Sequence, residues 1–241
     1  MKELVTFYAE RQRIVGDLHL PFHNAPCVVA LHGLESSKDS GKWPLVAARL
    51  YDEGIACLRF NFRGCGTGLE KSDGTFEDVS LTGRIHDYQA ALRFLHETGK
   101  VDTSSLGVIG SSFGGMVALA AEAARITAMV VLSTPYSIQE PRRAEYGYHL
   151  LPSGRRLKRG FYEDLRTYNL LEAVRSAPPL LILQGSADEL VPVEHAEHLY
   201  EAAQEPKQLE ILPGADHLFS RSDHLKRAVE LSVSWFKRYL P

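Results

Sequence analysis

The chain has 241 residues, and its 27 Lys and Arg against 30 Asp and Glu give a net charge of −3. This length is typical of one domain of the α/β or all-β kind, or of two small domains. Hydrophobic residues at 44% and charged residues at 24% exclude a disordered chain, a collagen and a coiled-coil rod. The nearly neutral charge argues against a nucleic-acid-binding protein, because phosphate contacts need a basic surface.

Cysteine usage and hydropathy also exclude several classes of protein. Cys27, Cys57 and Cys65 are too few for a disulfide framework and lack the spacing of a zinc module. The longest apolar stretches, such as residues 128–132, are far shorter than the ~20 residues that cross a bilayer. No signal-peptide core follows Met1. We therefore expect a soluble, cytoplasmic protein with no membrane partner.

Strand-like and helix-like segments alternate along the chain. Strands are predicted over 4–8, 14–20, 27–31, 55–62, 106–109, 128–132, 180–183 and 208–212. Helices are predicted over 43–53, 80–97, 113–124, 193–203 and 223–239. This alternation predicts an α/β fold with a mostly parallel central sheet flanked by helices. Ligands in such folds bind at the carboxyl ends of the strands.

The segment after the sixth predicted strand breaks this alternation. Residues 133–175 show no clear strand and are rich in aromatic residues. A long connection at the carboxyl edge is often a lid or a binding loop. We therefore predict one domain over 1–241 with a lid insertion over about 136–172. The predicted pocket-lining residues are Tyr136, Tyr146 and Tyr148 in the lid and Leu190 beyond it, although core packing explains the lid aromatics equally well.

A nucleophile is predicted where residues 110–114, Gly-Ser-Ser-Phe-Gly, join a strand to a helix. A G-x-S-x-G sequence in this setting is typical of a nucleophile elbow, in which the residues two before and two after the serine are small. Gly110 and Gly114 fill those positions for Ser112, whereas the corresponding neighbours of Ser111 are bulky. Ser112 is therefore the predicted nucleophile. The alternative is a Gly/Ser turn that only connects the two elements.

A serine nucleophile needs a base and a third group that orients the base. Asp188 and His217 each follow a predicted strand in the second half of the chain, in the order that this elbow requires. We predict Asp188 as the acid and His217 as the base. Glu189 competes with Asp188, and Asp216 ranks third. The alternatives are an ordinary turn aspartate and a surface-loop histidine.

Backbone N–H groups are the predicted stabilisers of the oxyanion that forms when a serine attacks a carbonyl. Leu34 lies in the loop after an early strand, and Phe113 directly follows the predicted nucleophile. These are the two positions from which oxyanion donors come on such a fold. We therefore predict the Leu34 and Phe113 N–H groups as the oxyanion hole.

Neither a metal nor an organic cofactor is predicted. His195 and His198 have the i, i+3 spacing of metal ligands, but a third ligand is not evident, so a solvated helix face is the favoured interpretation. Residues 64–68, Gly-Cys-Gly-Thr-Gly, match neither G-x-G-x-x-G nor a P-loop. A tight turn below the site explains this glycine-rich segment better than a phosphate cradle.

Over residues 27–239 the chain resembles the serine hydrolases of the α/β-hydrolase superfamily. A closer similarity is to small bacterial carboxylesterases that include the cinnamoyl (feruloyl) esterases. It is carried by the sequences FNFRG, DGTFED and GFY at residues 60–64, 73–78 and 160–162. The resemblance implies an α/β-hydrolase fold and hydrolysis of carboxylic esters, with Ser112, Asp188 and His217 as a catalytic triad.

The predicted function is hydrolysis of carboxylic esters with short to medium or aromatic acyl groups, through an acyl-enzyme and without a cofactor. The predicted partner is a small-molecule ester, and a homodimer is one oligomeric state that we consider. A thioesterase and a small amidase or peptidase are the alternatives among enzymes. A non-catalytic binding module on the same scaffold is the alternative outside them.

Overall fold

The structure, a computed structural model, describes residues 1–121, 126–141 and 147–240. Eight strands form the central sheet: β1 (Lys2–Ala9), β2 (Gln12–His19), β3 (Ala25–Leu31), β4 (Ala56–Asn61), β5 (Val101–Ser111), β6 (Ile126–Leu132), β9 (Leu180–Gly185) and β10 (Lys207–Leu212). Their order across the sheet is β1-β2-β4-β3-β5-β6-β9-β10. Pairs from β4 to β10 are parallel, and only β1–β2 and β2–β4 are antiparallel. The predicted mostly parallel sheet is confirmed.

Helices cover both faces of the sheet. The five longer ones are α1 (Trp43–Asp52), α2 (Leu81–Thr98), α3 (Phe113–Ala120), α6 (Val193–Ala202) and α7 (Ser222–Tyr239). Helix α2 begins after Ser80, whose hydroxyl accepts a hydrogen bond from the Gly83 N–H, and ends at Gly99 with a left-handed backbone. The Ser80 hydroxyl satisfies a backbone N–H that the helix leaves unpaired, and the left-handed turn at Gly99 ends the helix. None of the helices in the described ranges has the length and apolar character needed to span a membrane.

The core consists of two apolar layers, one on each face of the sheet. Alternate residues of β3 point to opposite faces, so Val29 and Leu31 join one layer while Val28 and Ala30 join the other. Helices α2, α3 and α6 pack on the first layer, and α1 and α7 pack on the second. Burial on both faces explains why the β3 sequence is continuously apolar rather than alternating.

The predicted lid segment contains more regular structure than its sequence indicates. Strands β7 (Tyr148–Leu150) and β8 (Arg156–Lys158) pair in an antiparallel hairpin, and α4 (Gly160–Leu165) and α5 (Leu170–Ala173) follow. The prediction that no strand occurs over 133–175 is therefore wrong. Strands of three residues are too short for alternation to be recognised. Residues 122–124 of the predicted third helix lie outside the described residues.

Ion pairs tie this hairpin to the loop that follows β4. Arg156 contacts Glu77 at 2.6 Å, and Lys158 contacts Asp78. The Arg155 guanidinium lies 3.4 Å from the centre of the Phe76 ring. Exposed pairs of this kind contribute little to stability. They do fix the hairpin over the carboxyl edge of the sheet.

Candidate active site

Ser112 occupies a strained turn between β5 and α3. Its backbone angles are φ 54° and ψ −121°, a conformation that costs a non-glycine residue on the order of 1–3 kcal/mol. The Ser112 N–H donates to the Leu132 carbonyl at 2.8 Å and so fixes the turn to β6. A Cβ at Gly110 would lie 2.4 Å from the Gly114 carbonyl oxygen, and one at Gly114 would lie 2.1 Å from the Leu31 carbonyl oxygen. The turn therefore requires glycine on both sides of the serine.

The two consecutive serines have different surroundings. Ser111 is buried, and its hydroxyl accepts a hydrogen bond from Lys42 Nζ at 3.0 Å. The Ser112 side chain is partly exposed, and among the described residues its hydroxyl has no hydrogen-bond partner. Only the second hydroxyl is available to an incoming molecule.

Asp188 and His217 are joined by a direct hydrogen bond. His217 Nδ1 donates to the Asp188 carboxylate, at 2.8 Å from Oδ2 and 3.1 Å from Oδ1. Asp188 also accepts hydrogen bonds from the N–H groups of Leu190 and Val191 and from Gln184 Nε2. Burial alone raises the pKa of Asp188, but the hydrogen bonds from His217 and Val191 outweigh it and hold the pKa below its ordinary value. A carboxylate in this setting stays ionised at neutral pH.

Two loops that pack directly together bring these residues into contact. Asp188 follows β9, and His217 follows β10. The Ala187 N–H donates to the Ala215 carbonyl at 2.9 Å. A Cβ at Gly185 would lie 2.2 Å from the same carbonyl oxygen, so the close approach of the loops needs glycine there. Backbone packing therefore sets the distance between the carboxylate and the imidazole.

The three predicted triad residues all follow the carboxyl ends of parallel strands. Ser112 follows β5 and the Asp188–His217 pair follows β9 and β10, so they share one edge of the sheet. Within the described residues, no hydrogen bond joins the Ser112 hydroxyl to the His217 ring. Catalytic hydrogen bonds are often long in a structure without substrate and tighten when substrate binds.

The loop after β3 approaches the serine. A Cβ built on Gly33 would lie 3.6 Å from Ser112 Cβ. His32 shapes this loop, because its Nδ1 donates to the Gly33 carbonyl at 2.8 Å while its Nε2 accepts the Phe62 N–H at 3.2 Å. Burial and the nearby Arg84 charge lower the pKa of His32 to about 3, so the ring is neutral and both nitrogens are engaged.

The two predicted oxyanion donors have unoccupied N–H groups. Leu34 lies one residue beyond Gly33 in this loop, and Phe113 is the first residue of α3. Neither N–H donates to another group in the part of the chain that the structure describes. The first N–H groups of a helix have no partner within the helix and favour negative charge.

Two buried cations beside the site were not predicted from the sequence. Lys42 lies between the Trp43 and Phe219 rings, and burial lowers its pKa to about 8 although Asp216 and Asp188 oppose the shift. No sequence pattern marks this lysine. Arg84 is fully buried on α2. Its position on the apolar face of that helix, three residues after Leu81 and four before Tyr88, was the available signal.

The predicted pocket-lining residues are dispersed. Tyr136 packs against the rings of His195 and His198, with centroids 4.6 and 5.5 Å apart. Tyr148 lies in β7 below the Arg156 guanidinium. Leu190 is 74% exposed beside Asp188. Tyr146 lies outside the described residues.

A cleft of about 720 Å³ lies beyond the oxyanion loop. Serine, threonine and acidic residues line it together with Asn61, Leu69 and Arg155, whereas Tyr136, Tyr148 and Leu190 do not. Below it, carboxylate oxygens of Asp17, Asp39 and Glu70 lie within 4.8 Å of one another, close enough for a metal ion. Lys38 Nζ contacts all three carboxylates at 2.6–2.8 Å. Arg59 also pairs with Asp17 and Asp39, so an ammonium and a guanidinium group already occupy this acidic cluster.

Comparison with known proteins identifies the family of the chain. Residues 45–241 match the prolyl oligopeptidase family. Uncharacterized protein YfhR of Escherichia coli O157:H7 is 31% identical over 201 residues, which cover 81% of this chain and 64% of that protein. The chain thus spans less than two thirds of this relative's length.

Solved structures are similar over nearly the whole chain. Est1E from Butyrivibrio proteoclasticus with bound ferulic acid superimposes with a TM-score of 0.84 at 21% identity, covering 97% of this chain and 99% of that one. The esterase domain of a Rhodothermus marinus protein gives a TM-score of 0.77 at 28% identity, with both chains fully covered. The predicted α/β-hydrolase fold is confirmed, and the chain belongs to the prolyl oligopeptidase family.

Proposed function

We propose that this protein is a serine hydrolase that cleaves carboxylic esters through an acyl-enzyme. One observation carries the proposal: a buried carboxylate holds the His217 ring at 2.8 Å, on the sheet edge where Ser112 occupies a strained, glycine-flanked turn. Neither a turn aspartate nor a surface histidine needs this arrangement. The matched family and the name of the esterase domain from the Rhodothermus marinus protein support the same reaction class.

The Asp188–His217 pair is the proposed base. His217 Nδ1 carries the proton of the hydrogen bond to Asp188. Nε2 is therefore the nitrogen that accepts the serine proton. Ser112 Oγ then bonds to the ester carbonyl carbon, and the carbonyl oxygen becomes an anion. The Leu34 and Phe113 N–H groups are the proposed donors to this oxygen. Removal of one such donor typically lowers turnover about 10²–10³-fold.

Three further proton transfers complete the proposed cycle. The tetrahedral intermediate collapses, the C–O bond to the alcohol breaks, and His217 gives its proton to the departing alkoxide. Water then loses a proton to His217 and attacks the acyl carbon. The acid leaves, and the proton returns to Ser112 Oγ. This sequence consumes one ester and one water and needs no cofactor.

The proposed substrates are esters with short to medium or aromatic acyl groups. The cleft beyond Leu34 is the proposed place for one part of such an ester, because it offers both apolar surface and hydroxyl and carboxylate groups. The exposed Leu190 beside the acid offers apolar surface on the other side. Tyr136, Tyr146 and Tyr148 remain proposed contacts of the acyl group.

Hydrolysis of peptide or other amide bonds is the second candidate, and the name of the matched family favours it. The same triad serves both reactions, but an amine is a poorer leaving group than an alcohol. A p-nitroanilide and a p-nitrophenyl ester with the same acyl group separate the two. We expect kcat/KM to be higher for the ester by much more than the difference in intrinsic reactivity.

The test is turnover of p-nitrophenyl esters of two to twelve acyl carbons and of methyl ferulate. Ser112→Ala is the test variant and Ser111→Ala is the matched control, since the two serines are adjacent. Loss of the nucleophile lowers turnover about 10⁶-fold in a related triad. Turnover that survives in Ser112→Ala would contradict the proposal. So would a failure of the unaltered protein to hydrolyse any of the esters and anilides.

A further inference from the structure

Arg84 is a buried cation whose acceptors are not carboxylates. Its side chain is 0% exposed, although it carries a full positive charge. Among the described residues, its hydrogen-bond acceptors are two carbonyl oxygens and one thiol. Burial of a charge is costly unless it is well bonded. We therefore expect the guanidinium to hold these three acceptors in place.

Those contacts converge on the loop that carries a proposed oxyanion donor. Arg84 Nη1 donates to the Gly33 carbonyl at 3.0 Å, and Nη2 donates to the Leu34 carbonyl at 2.8 Å. The guanidinium also lies 4.7 Å from the centre of the Phe62 ring and 5.0 Å from that of Phe113. The backbone of Phe113 supplies the second proposed donor, so one guanidinium contacts both of the residues whose N–H groups form the proposed oxyanion hole.

The hydrogen bond from Arg84 to the Gly33 carbonyl also fixes the orientation of the Leu34 N–H, because both groups belong to the same peptide. The Gly33 carbonyl and the Leu34 N–H belong to one planar, trans peptide, in which the two groups point in opposite directions. A hydrogen bond that holds the carbonyl toward Arg84 therefore turns the N–H away from Arg84. The His32 ring holds the same oxygen at 2.8 Å. Gly33 lies beside Ser112, with a built Cβ 3.6 Å from the serine Cβ.

We propose that Arg84 is a positioning residue that fixes the Leu34 N–H in the orientation of an oxyanion donor before substrate binds. The inference rests on the proposed function. Arg84 touches neither the substrate nor the reacting atoms. Its planar fork places two donors on consecutive carbonyls at once, which the single ammonium of a lysine does not reproduce.

Arg84→Lys is the test variant, because it keeps the charge and removes the fork. Arg63→Lys is the matched control. The Arg63 guanidinium is also largely buried and forms ion pairs with Asp87 and Glu10, but it does not contact the oxyanion loop. Both substitutions remove the hydrogen bonds that a buried guanidinium makes to neighbouring segments. Only the first one releases the Gly33–Leu34 peptide.

The readouts are ester kcat and KM, the inhibition constant of a trifluoromethyl ketone, and Tm. The ketone forms a tetrahedral oxyanion on the serine without turnover. We expect Arg84→Lys to lower kcat about 10²-fold with KM changed less than about threefold, near the loss of one donor. The inhibition constant should rise by a similar factor. Arg63→Lys should leave all three kinetic values within about threefold, whatever its Tm.

Equal kinetics of the two variants would overturn the role of Arg84, and so would a change confined to KM. If Arg84→Lys does not fold, a crystal structure of the ketone adduct of the unaltered protein tests the positioning role of Arg84 instead. The adduct oxygen must lie about 2.7–3.1 Å from the Leu34 nitrogen with the Arg84 contacts unchanged. A rotated Gly33–Leu34 peptide would overturn the inference. Absence of both ketone binding and ester turnover in the unaltered protein would instead remove the proposed function.

Discussion

The Asp188 carboxylate and the His217 imidazole form a hydrogen bond of 2.8 Å, with no exposed surface on the carboxylate side chain. Further donors from the Leu190 and Val191 N–H groups fix the carboxylate itself. The acid is therefore held rigidly, and the ring that it orients is held with it. Position 188 therefore needs a carboxylate, which only accepts hydrogen bonds, rather than a side chain of the same shape that donates them.

Asp188→Asn should lower ester turnover about 10⁴-fold with little loss of stability. An amide keeps the shape of the side chain but favours the wrong tautomer of His217, as in other Ser-His-Asp triads. Asp216→Asn is the control, because Asp216 adjoins His217 in sequence yet accepts its hydrogen bond from the Ser220 N–H. The measurement is kcat for both variants. Equal losses would show that Asp188 has no special role.

Lys42 should make stability rise with pH. Burial lowers its pKa to about 8 in the folded chain, whereas an exposed lysine titrates near 10.4. Between these values Lys42 binds more protons in the unfolded chain, so its contribution to the free energy of unfolding increases from pH 8 to pH 10 by on the order of 3 kcal/mol at most. The Cys27 and Cys57 thiols contribute the opposite slope, because burial raises their pKa values. Urea unfolding of the unaltered protein and of Lys42→Met at several pH values measures this. The free energy of unfolding of the unaltered protein minus that of Lys42→Met should rise over this range, because the thiol contribution is common to both proteins, and identical slopes would refute the assignment.

Gly114→Ala should destabilise the fold by about 3 kcal/mol or more and abolish activity. The new Cβ would lie 2.1 Å from the Leu31 carbonyl oxygen, and its nearest neighbours are all backbone atoms of Leu31 and His32, which cannot move aside as a flexible side chain could. Gly160→Ala is the matched control, since a Cβ there meets nothing within 4 Å. Urea unfolding compares the two variants. Similar free energies of unfolding would contradict the tight elbow.

Much of this fold could be predicted from sequence because its signals are local. Continuous apolar runs such as residues 27–31 indicate strands buried on both faces, and they lie in β3 as expected. The glycines at 110 and 114 indicate a sharp turn because the small residue is required within the turn itself. In both cases the residues that form the element also carry the pattern that predicts it.

The parts that were missed depend on tertiary contacts. The β7–β8 hairpin has three-residue strands and is held by ion pairs to distant residues such as Glu77. Arg84 is a single charged residue on α2, and only the fold shows that its guanidinium meets the Gly33 carbonyl from a loop 51 residues away. The distance between Asp188 and His217 likewise follows from packing of two loops, which no local pattern encodes.

The central claim is that Ser112 is an activated nucleophile, and labelling with a fluorophosphonate tests it most directly. The reagent reacts with serines that a neighbouring base activates, and it needs no knowledge of the natural substrate. Intact mass and peptide mapping after labelling should show one phosphonyl group, on Ser112, that is lost in Ser112→Ala and retained in Ser111→Ala. An unlabelled protein, or a label on another residue, would contradict the account.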